Sequence, residues 1–209
     1  MRIFKLFLVL FGVVLAACGA PESGVKEAEN TAAWQLVNAK SRVEFISVKK
    51  GTIVEVNKFG KLSGTVDNNG KAQIIIALDS VETNIDIRNK RMREHLFETE
   101  NYPIATISVQ LDKAAFSLMD IGDRKNMDIP MHINLHGKND TIGVAVIVTR
   151  LGDNKVMVES HTPVILDVET FGFEGGVEKL RELANLPSIT PEIPVMFSLV
   201  FERGVPKRE

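Results

Sequence analysis

Cysteine is almost absent from this chain: Cys18 is the only one among 209 residues. A disulfide framework is excluded, and so is a zinc site built on several thiolates. An excess of one charge is also missing. Lys and Arg total 25 against 27 for Asp and Glu, a formal net charge of −2, so the basic face that a nucleic-acid partner needs is not there. No Gly-x-Ser-x-Gly turn presents a nucleophilic serine. Gly175-Gly176 lacks the lysine and the preceding strand of a phosphate-binding loop. Internal repeats and low-complexity runs are absent as well. With no convergent set of titratable residues to advertise a reaction centre, the chain reads as a non-enzyme.

Long apolar runs are scarce, and the one at the start is too short to span a bilayer. Residues 6–17 are almost wholly apolar behind Arg2 and Lys5. Twelve helical residues cover about 18 Å at 1.5 Å each, against a hydrocarbon layer of about 30 Å. The basic start, short apolar stretch and small residues before a cysteine, Leu15-Ala16-Ala17-Cys18, form instead a bacterial lipoprotein signal over residues 1–17. A lone thiol in an oxidising compartment also favours modification of Cys18. Acyl chains of the palmitate type on Cys18 and the new amino terminus would anchor the protein, since stable anchoring takes at least two chains. Gly19, which is not aspartate, resembles the outer-membrane-sorted lipoproteins of Gram-negative bacteria. The expected location is therefore the cell envelope, tethered to the outer membrane and facing the periplasm. Loss of Arg2 and Lys5 takes the formal charge from −2 to −4. Residues 18–32 read as the lipidated cysteine and a small-residue tether.

Residues 33–203 have the length of one domain, enough to bury a core without disulfides. Period-2 alternation dominates. Strands are expected over 34–48, 52–67 (interrupted at Gly60 and Gly64), 71–79, 104–112, 128–136, 140–149, 155–168 and 193–202. Asp67-Asn68-Asn69-Gly70, residues 137–140 and residues 152–154 are hairpin turns. Helical spacing appears twice. In 84–97, Ile87, Met92, Leu96 and Phe97 make one face with basic residues between them. In 175–186, Val177, Leu180, Leu183 and Ala184 do the same. Eight strands in hairpin order with one or two short helices predict an all-β fold, a closed antiparallel barrel. Ile74, Ile75 and Ile76, residues 144–148 and residues 195–201 carry apolar side chains on nearly both faces. An eight-stranded interior is either filled by such side chains or holds one small ligand, and the pattern leaves that choice open.

Polar candidates are few. His132 and His136 lie four apart, but Met131, Ile133 and Leu135 alternate with them, so they sit on a strand. Four strand residues separate them by about 13 Å, too far to share one metal ion, and no metal is expected. His136 serves a turn or contacts a ligand at the barrel mouth. Arg88 and Arg91, with Arg93 and His95 nearby, form either a solvated face or a cationic rim for a polar or anionic head, which an arginine fork would suit. Phe171 and Phe173 belong to a plug or a gate at one barrel end.

One stretch carries more than pattern. Ser80-Val81-Glu82-Thr83 is followed by Arg88, Arg91, Leu96-Phe97 and then Tyr102-Pro103 leading into a strand. This order and spacing resemble the signature of the YceI-like family. The resemblance covers roughly residues 33–203. It implies a lipocalin-like barrel holding a polyisoprenoid or related lipid, an isoprenoid-type lipid or quinone. Asn89 stands where that family usually has aspartate, and its later Asn-Arg-Ser-Asp-Phe-Gly run is here Asp167-Val168-Glu169-Thr170-Phe171-Gly172. The resemblance makes Ile74, Ile76, Arg88, Arg91, Phe97, Tyr102, His136 and Phe171 the candidate ligand-binding residues, with no catalytic residue and no cofactor. The expected function is sequestration or transport of that lipid by an anchored envelope protein. The competing expectation is a packed barrel that acts through its surface, without ligand. A homodimer is left open.

Overall fold

The structure is a computed structural model that describes residues 32–112 and 118–204. The signal segment, Cys18 and nearly all of the tether lie outside the described residues. Twelve strands are present among the described residues: β1 (Ala32–Leu36), β2 (Arg42–Lys49), β3 (Ile53–Phe59), β4 (Leu62–Asp67), β5 (Lys71–Ala77), β6 (Val81–Glu82), β7 (Ile104–Gln110), β8 (Arg124–Leu135), β9 (Lys138–Gly152), β10 (Lys155–Ser160), β11 (Val164–Asp167) and β12 (Glu192–Glu202). Four pairs of them are halves of a broken strand: β1 with β2, β3 with β4, β5 with β6, and β10 with β11. Counted that way, eight antiparallel strands close into a ring, because β12 pairs β10 and β11 on one side and β1 and β2 on the other. The expected eight-stranded barrel is what forms.

The break at Gly60 was expected, but at two others the alternation pattern misled. Residues 34–48 look like one strand, but a 3-10 turn at Asn38–Lys40 interrupts them. Residues 155–168 are likewise split ahead of β11, where Pro163 lacks the N–H a ladder requires. Three of the breaks sit side by side and bond to one another. The Leu62 amide donates to Asn38 Oδ1 at 2.7 Å, and Asn38 Nδ2 donates to the Gly60 carbonyl at 3.2 Å. The Gly60 amide donates to the Ser80 carbonyl at 2.9 Å, and the Lys61 amide to Ser80 Oγ at 3.0 Å. Asn38, Gly60 and Ser80 thus make a crease across three neighbouring strands. Below it the ladder is continuous from β1 to β5. Above it, β6 pairs β3 only at Lys58 and Phe59, which leaves the outer half of β3 open on one side.

Helix α1 (Asp86–Arg91) stands at that opening. The residue set expected to be one helix over 84–97 is instead α1 followed by a π-helical turn, Met92–Leu96. The wider turn changes which side chains go inside. Met92 and Phe97 are buried, while Ile87 is 54% exposed at the barrel mouth. Asn89 is buried, and its Oδ1 accepts from the Thr83 amide at 2.8 Å and the Thr83 hydroxyl at 2.6 Å. Asn89 Nδ2 donates to Glu82 Oε1 at 3.0 Å. An aspartate there could not make that last bond and would face a second carboxylate, a physical reason for asparagine in this chain. Ser80 and Thr83 of the signature are therefore fasteners: one holds the crease, the other ties the strand end to the helix.

Helix α2 (Glu174–Leu183) packs on the same end. A Cβ on Gly176 would lie 2.5 Å from the His95 carbonyl oxygen and 2.9 Å from Leu96 Cα, so only glycine allows α2 to sit this close to the π turn. Along β8, Met127, Ile129, Met131, Ile133 and Leu135 turn inward, and Asn126, Asp128, His132 and Asn134 turn out to solvent. The barrel is apolar within and polar outside, the reverse of a lipid-facing membrane barrel.

Candidate functional site

The barrel is hollow. A cavity of about 970 Å³ extends along it, at the upper end of the roughly 300–1,000 Å³ that enclose drug-sized ligands. Its mouth is bounded by Lys49, Glu55, Ile87, Arg88, Arg91 and Leu186, and its far end by Trp34, Asp67, Leu111, Arg150 and Arg203. The wall between is aliphatic, with Ile74, Ile76, Ala105, Ile107, Ile133, Val146 and Leu199. Strand alternation puts these residues inside, and their modest size leaves the centre open. The Arg203 guanidinium lies over the Trp34 ring at 4.7 Å, closing part of the far end. The packed interior of the competing expectation is not found.

Under the two helices the wall becomes aromatic. Six rings follow in sequence of contact: Phe45, Phe59, Phe97, Phe173, His136 and Tyr102, with centroid separations of 5.4, 5.6, 5.9, 4.8 and 4.3 Å. The first four border the cavity. His136 and Tyr102 continue the stack behind it and are not among the lining residues. His136 sits at a left-handed backbone position, φ 52°, in the β8–β9 turn. Its ring Nδ1 lies 3.2 Å from the Phe171 carbonyl; because a carbonyl only accepts, that nitrogen carries the hydrogen. Phe171 is 1% exposed and closes the cavity from this side. His132 is far from this stack, on the outer face against Thr141 at 2.8 Å.

Of the eight candidate residues, the structure gathers Ile74, Ile76, Arg88, Arg91, Phe97 and Phe171 around one cavity. It also adds polar residues that sequence reasoning missed. On the inner face of the β2–β3 hairpin, Ser47 opposes Glu55 and Phe45 opposes Asn57. Lys49 Nζ lies 2.7 Å from Glu55 Oε2, and Arg88 Nη1 donates to the same oxygen at 2.6 Å. Arg88 Nη2 donates to the Thr83 carbonyl at 2.6 Å. Burial works to raise the Glu55 carboxyl, but the Lys49 hydrogen bond and the Arg88 charge outweigh it and hold the group below its ordinary 4.5. Glu55 is therefore ionised at neutral pH and pins α1 to the open edge of β3. Arg91 reaches the other way, donating from Nη1 to the Leu183 carbonyl of α2 at 3.2 Å. Polar residues at alternate positions of a strand normally face water, and this is why Glu55 and Asn57 did not stand out.

The arrangement can hold a long apolar molecule with one polar end. Among the described residues no group of three His, Cys, Asp or Glu side chains is placed to hold a metal ion.

Comparison with known proteins agrees with this geometry. The sequence pattern of the YceI-like domain matches residues 34–201. Among solved structures, a polyisoprenoid binding domain from Saccharophagus degradans, implicated in plant cell wall breakdown, superposes with a TM-score of 0.81 at 37% identity. That match covers 83% of this chain and 99% of the other. BcnA of Burkholderia cenocepacia matches with a TM-score of 0.61 at 21% identity, over 79% of this chain and 98% of its own. The Campylobacter jejuni YCEI protein matches at 0.52 and 14%, over 71% and 85%. The last two share the fold. No curated protein matches the chain.

Proposed function

This chain belongs to the YceI-like family, and from that premise we propose that its barrel takes up one long isoprenoid-type lipid or quinone and sequesters or transports it. The carrying observation is the continuous apolar cavity of about 970 Å³ in a barrel size that side chains could have filled. Moving a hydrocarbon chain from water into such a space is worth about 0.8 kcal/mol per methylene, so uptake needs no covalent step. The tail lies along Ile74, Ile107 and Ile76, and the head lies under α1 near Arg88. The Saccharophagus degradans domain, a relative described as binding polyisoprenoid, supports the same reading. Native mass spectrometry of protein purified from its own membrane environment is expected to show a co-purifying lipid that organic solvent releases. Protein that stays empty when supplied with isoprenoid lipids would overturn the proposal.

The same reading places the protein at the envelope, as a lipoprotein acylated on Cys18 and held at the outer membrane on its periplasmic side. The signal segment and the lone cysteine support it. Cys18→Ser is expected to lose palmitate labelling and to move from the membrane fraction to the soluble one. Membrane retention of the variant at wild-type level would exclude the anchor.

A further inference from the structure

The outer face of the barrel is polar along β8, but not at the cavity mouth. On the β2–β3 hairpin, Ile46 pairs Val56 and Val48 pairs Val54. These positions alternate with Ser47, Glu55 and Asn57, which line the cavity, so all four aliphatic side chains point outward. Val54 is 61% exposed and Val56 57%. Beyond the Arg88–Glu55 ion pair, Ile85 and Ile87 border the mouth and are 45% and 54% exposed. Exposed apolar patches rimmed by polar residues mark interaction sites. Here the rim is basic. The α1 helix and the π turn carry Arg88, Lys90, Arg91 and Arg93 against Asp86 and Glu94. The hairpin tip adds Lys49 and Lys50, in a chain whose formal net charge is −2.

The position of this face selects its occupant. It surrounds the entrance of a lipid cavity, and a long-chain cargo starts in a bilayer. A chain that crossed water to reach the barrel would expose its methylenes at a cost of about 0.8 kcal/mol each. Seating the mouth on the membrane removes that barrier. Aliphatic side chains ringed by lysine and arginine suit the boundary between acyl chains and anionic headgroups. A second copy of this chain suits the face less. Across a two-fold axis the patch would meet itself, which sets these cations against their own copies and stoppers the cavity. Residues 53–57 of β3 pair β2 alone, and the backbone groups on their open edge must stay where water reaches them. Contact is therefore limited to headgroup depth. We propose that the cavity mouth docks on an anionic lipid bilayer through Val54, Val56, Ile85 and Ile87, and that lipid passes there between bilayer and barrel. This rests on the carrier reading above. It is separate from an anchor on Cys18, because the chain enters the barrel at the opposite end, where Ala32 pairs Asp67.

The test uses a chain beginning at Gly19, which lacks Cys18 and keeps all twelve strands of the closed barrel. Its co-sedimentation is measured with vesicles of phosphatidylethanolamine and phosphatidylglycerol, and with vesicles of phosphatidylcholine alone. Farnesol titrated from solution reads the cavity separately. The unsubstituted chain is expected to bind the anionic vesicles at least about tenfold more tightly than the neutral ones. Val54→Thr with Val56→Thr keeps shape and charge and puts a hydroxyl in place of one methyl on each. That pair is expected to weaken anionic-vesicle binding about tenfold and to leave farnesol affinity within about twofold. Leu118→Ser, at the far end of the barrel, is expected to change neither. No binding to vesicles, equal binding to both kinds, undiminished binding by the valine variant, or an equal loss in Leu118→Ser would each overturn the docking face and leave the carrier intact. Failure of farnesol to enter the unsubstituted chain would instead overturn the carrier reading. The comparison of anionic with neutral vesicles needs no variant, so a misfolded one does not remove the test.

Discussion

Replacing Ile107 by tryptophan is expected to abolish lipid loading, by more than tenfold, while the barrel stays folded. Ile107 is the middle residue of β7 and points into the cavity, opposite Ile74 on β5 and Ile133 on β8. An indole at this height stands across the lumen at half its length, where a linear chain has no way around it. In a solid core such an enlargement would cost about 1–3 kcal/mol through forced rotamers and backbone shifts. Here it enters empty space, so Tm is expected to move by no more than about 3 °C, since 1 kcal/mol corresponds to about 2–4 °C at this size. Native mass spectrometry reads the loading and calorimetry the stability. Wild-type loading with the indole in place would mean that the lipid lies elsewhere.

Phe97→Ala is expected to show the opposite division, with a large loss of stability. Phe97 is 7% exposed and lies between Phe59 and Phe173 in the ring stack, 5.6 and 5.9 Å away. It is also the residue that ends the π turn, its amide donating to the Met92 carbonyl at 2.9 Å. Removing the ring opens the junction between the lid and the barrel and costs about 3 kcal/mol, the lower end for phenylalanine because one side already borders the cavity. Tm is expected to fall by about 6–12 °C. A fall of less than about 2 °C accompanied by lost loading would make Phe97 a ligand contact with no part in holding the lid.

Part of the cavity wall could be read in advance. Phe97 and Ile74 stood out because each lies in a local pattern, one at the end of a helical face and one in an alternating strand. Arg88 stood out by its place in the signature, but its role did not: the partner, Glu55, is 33 residues away. The fork that suggested an anion site is closed by that carboxylate and by a backbone carbonyl. Tyr102 and His136 were read beside the ligand, and the structure stacks them behind Phe173. Of the crease only the break at Gly60 was legible; that Asn38 and Ser80 meet it was not, because both are ordinary turn residues until three turns come together.

The order of apolar and polar residues along this chain was enough to determine an antiparallel barrel of eight strands with helices at one end, since a strand's two faces alternate whatever else the chain does. The signature was enough to name the family. Whether the barrel would be hollow, what would hold the Arg88 fork, and that Glu55 and Asn57 would face inward were decided only on folding. Those outcomes depend on which strand halves pair on each side of the crease and on which side chains meet across the ring, and no single stretch of sequence contains both sides of such a contact.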